Sequence, residues 1–262
     1  MSGELVRGAF RAGRTALVPY LTGGYPTLEG AGEVGEAFLE AGADVLEIGV
    51  PFSDPLPDGP TIQDTTTRAL ENGADLDYCL ELASTFSGRV PVLFLLYYNV
   101  IFARGVEPFL QEVVEAGVSG LVIPDLPVDE AGRFAELAAK TGVAFCPLVA
   151  PTSTDRRVSR VGEMATGFVY CVSVAGVTGV RDILPPGAVE LLRRVRARTE
   201  APVALGFGIG SARAAVEAAQ DADGIIIGSK LMRLVEEGGP ERASGWLREV
   251  REALSGVVKA GG

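Results

Sequence analysis

The sequence predicts an α/β fold in one domain, residues 1–262: a single (β/α)8 TIM barrel with a short N-terminal helix covering one end. Three observations predict it. The chain has 262 residues with 47% hydrophobic content, the size and core that one large barrel domain needs. Short apolar runs rich in Val, Ile and Leu alternate with amphipathic stretches from one end to the other. Eight such runs occur, and eight is the number of strands that closes a barrel.

In chain order, residues before Thr15 form the covering helix, and strands are expected at 16–21, 45–49, 91–97, 120–124, 143–149, 167–171, 202–207 and 224–228. The runs are apolar almost throughout, as happens when helices cover one side of a strand and a packed barrel interior the other. Several intervening helices end in a glycine just before the next strand. EAGADVLEIG, EAGVSGLVIP and KTGVAFCPLV place Gly42, Gly117 and Gly142 where a left-handed cap turns the chain back, an internal repeat of the fold. A doubly wound open sheet is the competing architecture, since alternation is common to both; the placement of motifs favours the barrel. No Ser/Gly-rich linker divides the chain, so a second domain is not indicated.

Composition narrows the function classes. No segment approaches the roughly 20 apolar residues of a membrane helix, and MSGELVRGAFRAG lacks the apolar centre of a signal peptide, so a soluble, cytoplasmic protein with no membrane partner is expected. Lys and Arg number 23 against 34 Asp and Glu, a net charge of −11 that repels nucleic acid. Cys79, Cys146 and Cys171 lie in apolar stretches and read as reduced, packed thiols. The chain has no histidine, which removes the commonest general base and metal ligand. Proton transfer then falls to carboxylates, Tyr, Lys or Cys, and a zinc site at these spacings is not expected.

In a barrel, side chains at the C-terminal ends of strands face the active-site mouth. Glu47 interrupts the otherwise apolar strand Asp44-Val-Leu-Glu-Ile-Gly49, and a carboxylate facing a barrel interior should have its pKa raised by desolvation. It also reads as a satisfied internal carboxylate paired with a backbone or Tyr donor. Directly after it, prolines at 51, 55, 57 and 60 stiffen a loop carrying Asp54 and Asp58. Two carboxylates from one βα unit can divide the work, the deep one exchanging protons and the loop one stabilising positive charge. Both loop acids also read as caps of the next helix; Asp58, beside Gly59 and Pro60, is the better placed to bend inward.

Late in the chain, AGVTG (175–179), GFGIG (206–210) and DGIIIGS (223–229) form a second constellation. Glycines after the seventh and eighth strands let backbone amides converge on an anion, and Ser229 with residues 230–234 opens a short helix whose positive end faces it. GFGIG lacks the spacing of a dinucleotide fingerprint, so the three clusters together suggest a phosphate site. Residues 173–187, SVAGVTGVRDILPPG, read as a lid, although an inert loop has much the same composition.

YLTGGYP (20–26), LEIGVPFSDPLPDGPTIQ (46–63), LLYYN (95–99), IPDLP (123–127), AGVTG and GFGI together resemble the tryptophan synthase α family over nearly the whole chain, and the proline-rich acidic loop is specific to it. The resemblance implies a lyase that cleaves indole-3-glycerol phosphate into indole and glyceraldehyde 3-phosphate in tryptophan biosynthesis, with no metal or organic cofactor of its own. It implies Glu47 as the acid/base, Asp58 as the carboxylate that binds the indole N–H, and Tyr170 as the tyrosine beside the glutamate. Tyr20, Leu95 and Phe207 would line the indole pocket, with Tyr20 where Phe is frequent. Gly179, Gly208, Gly228 and Ser229 would bind phosphate, and Thr178 would close the lid against Asp58. Val174 stands where some members carry Arg. The resemblance also implies a partner, a pyridoxal-phosphate β subunit in an α2β2 heterotetramer, with residues 51–60 helping to form the interface.

The nearest rivals are another barrel acting on a phosphorylated sugar or indole precursor, and a non-catalytic scaffold that binds phosphate. The first class usually needs a catalytic Lys or Cys. The lysines are Lys140, Lys230 and Lys259, and none stands at the end of an early strand. A scaffold has no need of Glu47 inside a barrel strand.

Overall fold

The computed structural model describes residues 2–10, 14–55, 58–172, 184, 187–206 and 208–257. Nine parallel strand segments run β1 (Ala16–Thr22), β2 (Leu46–Gly49), β3 (Val92–Leu95), β4 (Val118–Val122), β5 (Ala144–Phe145), β6 (Leu148–Val149), β7 (Val169–Val172), β8 (Val203–Gly206) and β9 (Gly224–Ile227). They pair in the order β5-β4-β3-β2-β1-β9-β8-β7-β6. The two ends of that ladder, β5 and β6, belong to one stretch of chain. Its first half pairs with β4 and its second with β7, and Cys146 N–H donates to Leu121 C=O (2.9 Å) while Tyr170 N–H donates to Pro147 C=O (3.0 Å). The ring therefore closes through residues 144–149. Nine segments make eight staves, and the strand expected at 143–149 is divided at Cys146-Pro147.

Around the ring stand α2 (Leu28–Glu40), α3 (Pro60–Glu71), α4 (Leu76–Phe86), α5 (Tyr98–Arg104), α6 (Val106–Glu115), α7 (Gly132–Thr141), α8 (Asp155–Met164), α9 (Ala188–Arg196), α10 (Ala212–Ala219) and α11 (Ser229–Ser255). Gly42, Gly117 and Gly142 all have positive φ (91°, 75° and 81°), so the repeated glycine works as the sequence predicts: no Cβ opposes the left-handed turn that sends each helix into the next strand. The short helix expected from Ser229 continues much further, but Gly238 and Gly239 leave helical geometry before Pro240, so its first turns form a segment set off by a kink.

Alternate residues of every strand point inward. Ala16, Val18, Val45, Leu93, Val122, Ala144, Cys146, Phe168, Tyr170, Ala204 and Ile226 fill the interior with a cluster that also takes in Val6 and Phe10 of α1 (Ser2–Phe10). Phe10 stacks on Phe168 (ring centroids 4.8 Å apart), and Gly3 N–H donates to Gly142 C=O (2.7 Å), so α1 plugs the N-terminal end of the barrel, as the covering helix was expected to do. All three cysteines are free and buried.

At that same end Asp44 ties the two ends of the barrel chain together. Its buried carboxylate accepts from Leu17 N–H (2.9 Å) and Arg251 Nη1 (2.8 Å) and is paired with Arg14, while Arg251 also donates to Thr15 C=O (3.2 Å). Removing one partner of a buried pair leaves an uncompensated charge. Asp44→Ala should lower the unfolding free energy by about 3–5 kcal/mol in denaturant titration.

Candidate active site

The inward alternation of β2 places Val45 at the interior and Glu47 above it, towards the C-terminal mouth. Glu47 is 1% exposed, and its Oε1 has no hydrogen-bond partner among the described residues. That is not a satisfied internal carboxylate. Burial, and then the nearby Asp58 carboxylate, push its pKa up to about 8.

Asp58 precedes α3, whose N-cap is Gly59 and whose first residue is Pro60. Neither Asp54 nor Asp58 caps this helix: Asp54 is exposed and accepts from the adjacent Ser53 hydroxyl (2.8 Å), whereas the Asp58 carboxylate turns to the mouth and accepts from Tyr97 Oη (2.9 Å). Two further bonds fix the loop, Asp58 N–H to Pro55 C=O (3.1 Å) and Gln63 Nε2 to Asp58 C=O (2.9 Å). Burial raises the Asp58 pKa to about 6, against the lowering effect of the Tyr97 hydroxyl, which stabilises the ionised form. Tyr97 was not singled out in the sequence. It ends the β3 stave, next to β2, stacks on Phe52 (centroids 5.1 Å, 29° between planes) and so braces the acidic loop from the neighbouring stave.

Tyr20, Leu95 and Tyr170 face the same chamber from β1, β3 and β7. Tyr20 is the register partner of Glu47 on the neighbouring strand, and burial raises the phenol pKa of both tyrosines, with Glu47 among the further causes. Leu95 is part-buried against the inner cluster. Two glycines make space for the rings: a Cβ on Gly49 would overlap Tyr20, and one on Gly206 would overlap Tyr170. Gly206→Ala should therefore displace Tyr170 or strain β8. The expected cost is about 1–3 kcal/mol of stability, with a fall in kcat/KM of roughly tenfold or more, the scale of a misplaced active-site group; unchanged kinetics would show that the Tyr170 position does not matter.

On the far side of β1 from β2, β9 and then β8 end in the glycine clusters. Gly208 has φ +82°, and Gly228 is the N-cap of α11 with no side chain capping its first turn, so Ser229 opens a helix whose first amides are available to an anion. The neighbouring α10 differs, because the Ser211 hydroxyl accepts from Ala214 N–H (3.1 Å). Lys230, next to Ser229 in the chain, holds its ammonium 5.7 Å from the Trp246 ring centroid. Phe207, Val174, Thr178 and Gly179 lie outside the described residues. Among the described residues no cluster of three His, Cys, Asp or Glu is arranged to hold a metal, and no helix is long and apolar enough to cross a membrane.

Comparison with known proteins matches residues 8–258 to the family model for the tryptophan synthase alpha chain. The tryptophan synthase alpha chain of Synechococcus elongatus is 42% identical over 245 residues, 92% of each chain. That of Methanosarcina mazei is 42% identical over 248 residues, covering 94% of this chain and 90% of the relative. Among solved structures, Mycobacterium tuberculosis tryptophan synthase superposes with a TM-score of 0.89 at 35% identity over 97% of both chains. A Pyrococcus furiosus tryptophan synthase α2β2 complex gives 0.85 at 38% identity, covering 93% of this chain and 99% of that one. Fold, mouth and relatives agree: this chain belongs to the tryptophan synthase alpha chain family.

Proposed function

We propose that this chain cleaves indole-3-glycerol phosphate, the reaction of its family, with Glu47 as the acid/base and Asp58 as the charge partner of the ring. The observation that carries the reading is the pair itself: a buried carboxylate with an unpartnered oxygen, and a second one on a braced loop, with pKa values of about 8 and about 6 on either side of neutrality. Protonated Glu47 delivers its proton to the ring carbon that bears the side chain, and ionised Asp58 accepts the ring N–H and stabilises the resulting cation. The Glu47 carboxylate then takes the proton from the hydroxyl on the attached carbon. The carbon–carbon bond breaks, its electrons return to the ring, and indole, glyceraldehyde 3-phosphate and protonated Glu47 result. Tyr170 borders Glu47, Tyr20, Leu95 and Phe207 line the ring's pocket, Gly179, Gly208, Gly228 and Ser229 hold the phosphate, and Thr178 closes the lid.

The step needs no metal or organic cofactor on this chain, and pyridoxal phosphate belongs to the partner. That partner is a tryptophan synthase β subunit in an α2β2 assembly, as in the Pyrococcus furiosus complex. Supporting an interface at the mouth, Phe102 is 71% exposed on α5, the helix that begins beside Tyr97 and the residue 51–60 loop. The free buried thiols support a reducing, cytoplasmic setting.

The pH dependence follows from the two roles. Indole release should fall as pH rises through about 8, where Glu47 loses the proton it must donate, and as pH falls through about 6, where Asp58 is neutralised. An assay of indole formation from indole-3-glycerol phosphate, with and without a β subunit, tests the reading across that range. A bell is expected; no indole under either condition rejects the activity, and a flat profile rejects the assignment of roles.

A further inference from the structure

Three hydroxyls in the wall of the chamber are joined in a line. Tyr20 Oη lies 3.2 Å from Thr22 Oγ1, Thr22 Oγ1 lies 2.8 Å from Thr65 Oγ1, and the Thr65 hydroxyl donates to Ile62 C=O at 3.0 Å. Thr22 and Thr65 are fully buried or nearly so, at 0% and 2% exposure. Valine has the same shape, and a buried hydroxyl costs stability unless it is bonded, so packing alone does not call for threonine at either place.

Each hydroxyl has one proton to donate. Thr65 commits its proton to the Ile62 carbonyl and must accept from Thr22; Thr22, its proton committed in turn, must accept from Tyr20. The line therefore has one direction, from β1 outward into the first turns of α3. The phenol proton of Tyr20 is committed along it, to Thr22. The phenol oxygen lies where a Cβ on Gly49 would fall, two residues beyond Glu47 on β2 and beside the register pair Tyr20 and Glu47.

We propose that Thr22 and Thr65 are positioning residues that hold Tyr20 as an acceptor towards the chamber, so that its phenol donates to neither Glu47 nor Asp58. The proposal rests on the reading of those two carboxylates as the working pair. A donor aimed at a buried carboxylate favours its charged form, and withholding that donor keeps the proton on Glu47. Among the described residues, the groups that face these supply no substitute cation. Glu47 is faced by Asp58 from the loop, Tyr20 from β1, Tyr170 from β7 and Cys146 from between β5 and β6; Tyr20 is faced in addition by Tyr97 and by Cys79 of α4. All are acids or neutral groups, and the hydroxyl line withholds one of their protons, that of the Tyr20 phenol, from Glu47.

The test is a carboxyl titration of the full chain by NMR with 13C-labelled glutamate, the Glu47 resonance being assigned by its loss in Glu47→Gln. In Thr22→Val and in Thr65→Val the freed phenol should turn inward, lowering the Glu47 midpoint by about one pH unit, the scale of one new donor to a carboxylate. Thr22→Ser, which restores a hydroxyl, should keep the unmodified chain's midpoint. Thr22→Val combined with Tyr20→Phe should also return to it, because no phenol proton remains to turn. An unchanged midpoint in both valine variants, or a lowered midpoint that persists with Tyr20→Phe, overturns the proposal; if one valine variant does not fold, the other carries the comparison. Because no substrate is present, the outcome is independent of turnover. Failure of the functional reading would show separately, as undiminished indole release by Glu47→Gln.

Discussion

Glu47→Gln should release indole about 10³-fold more slowly, and should still bind indole-3-glycerol phosphate with nearly unchanged affinity. The size follows from the two jobs of one carboxyl. Positioned general acid/base catalysis is worth about 10²–10⁴-fold, and here the same group protonates the ring and then deprotonates the hydroxyl. Glutamine keeps the volume but can carry neither proton, so chemistry is lost without loss of shape. Stability should move the other way. The folded-state pKa of Glu47, about 8, lies above its ordinary value, so its favourable contribution is present below that ordinary value and is lost as pH rises through about 8. The glutamine variant should therefore melt above the unmodified chain, with a margin that widens from pH 5 to pH 9. Single-turnover indole release, calorimetric binding and thermal melts separate the three statements. Undiminished turnover would remove Glu47 from the chemistry.

The second large effect is expected at Asp58. Asp58→Ala removes the anion that the ring cation needs, and loss of one preorganised partner for developing charge costs about 10²–10³-fold in kcat. The loop itself should survive, because Asp58 N–H, its carbonyl bond to Gln63 and the Gly59-Pro60 start of α3 do not involve the carboxylate. Asp58→Asn keeps an acceptor for the Tyr97 hydroxyl but carries no charge, and should lose nearly as much. A change under threefold in kcat would reduce Asp58 to a loop residue held by Tyr97.

The features legible in the sequence were those with local signatures. A carboxylate inside an apolar strand announces Glu47, prolines bracketing an acid announce the stiff loop, and a glycine closing three of the helices marks the βα repeat. The barrel's closure was only half legible. Residues 143–149 form one apolar run, but Pro147 offers no N–H, and the segment passes its hydrogen bonds from β4 to β7 around that point. Non-local pairings were not legible at all. Tyr97 meets Asp58 across 39 residues and Thr22 meets Thr65 across 43, and no periodicity reports which hydroxyl will find which partner after the ring has closed. The alternative of Asp58 as a helix cap could be decided only by the structure, where Gly59 takes the capping position.

In the proposed reaction one ligand spans the mouth, with its ring at Glu47 and its phosphate on the amides that follow β8 and β9. A crystal structure of the Glu47→Gln chain, soaked with indole-3-glycerol phosphate that it turns over too slowly to consume, tests this directly. The expected complex has the phosphate on the amides of Gly208, Gly228 and Ser229, the ring N–H on the Asp58 carboxylate, and the side-chain amide at position 47 about 3–3.5 Å from the substituted ring carbon, the separation of a near-attack arrangement. A phosphate bound away from those amides, or a ring carbon beyond the reach of position 47, would contradict it.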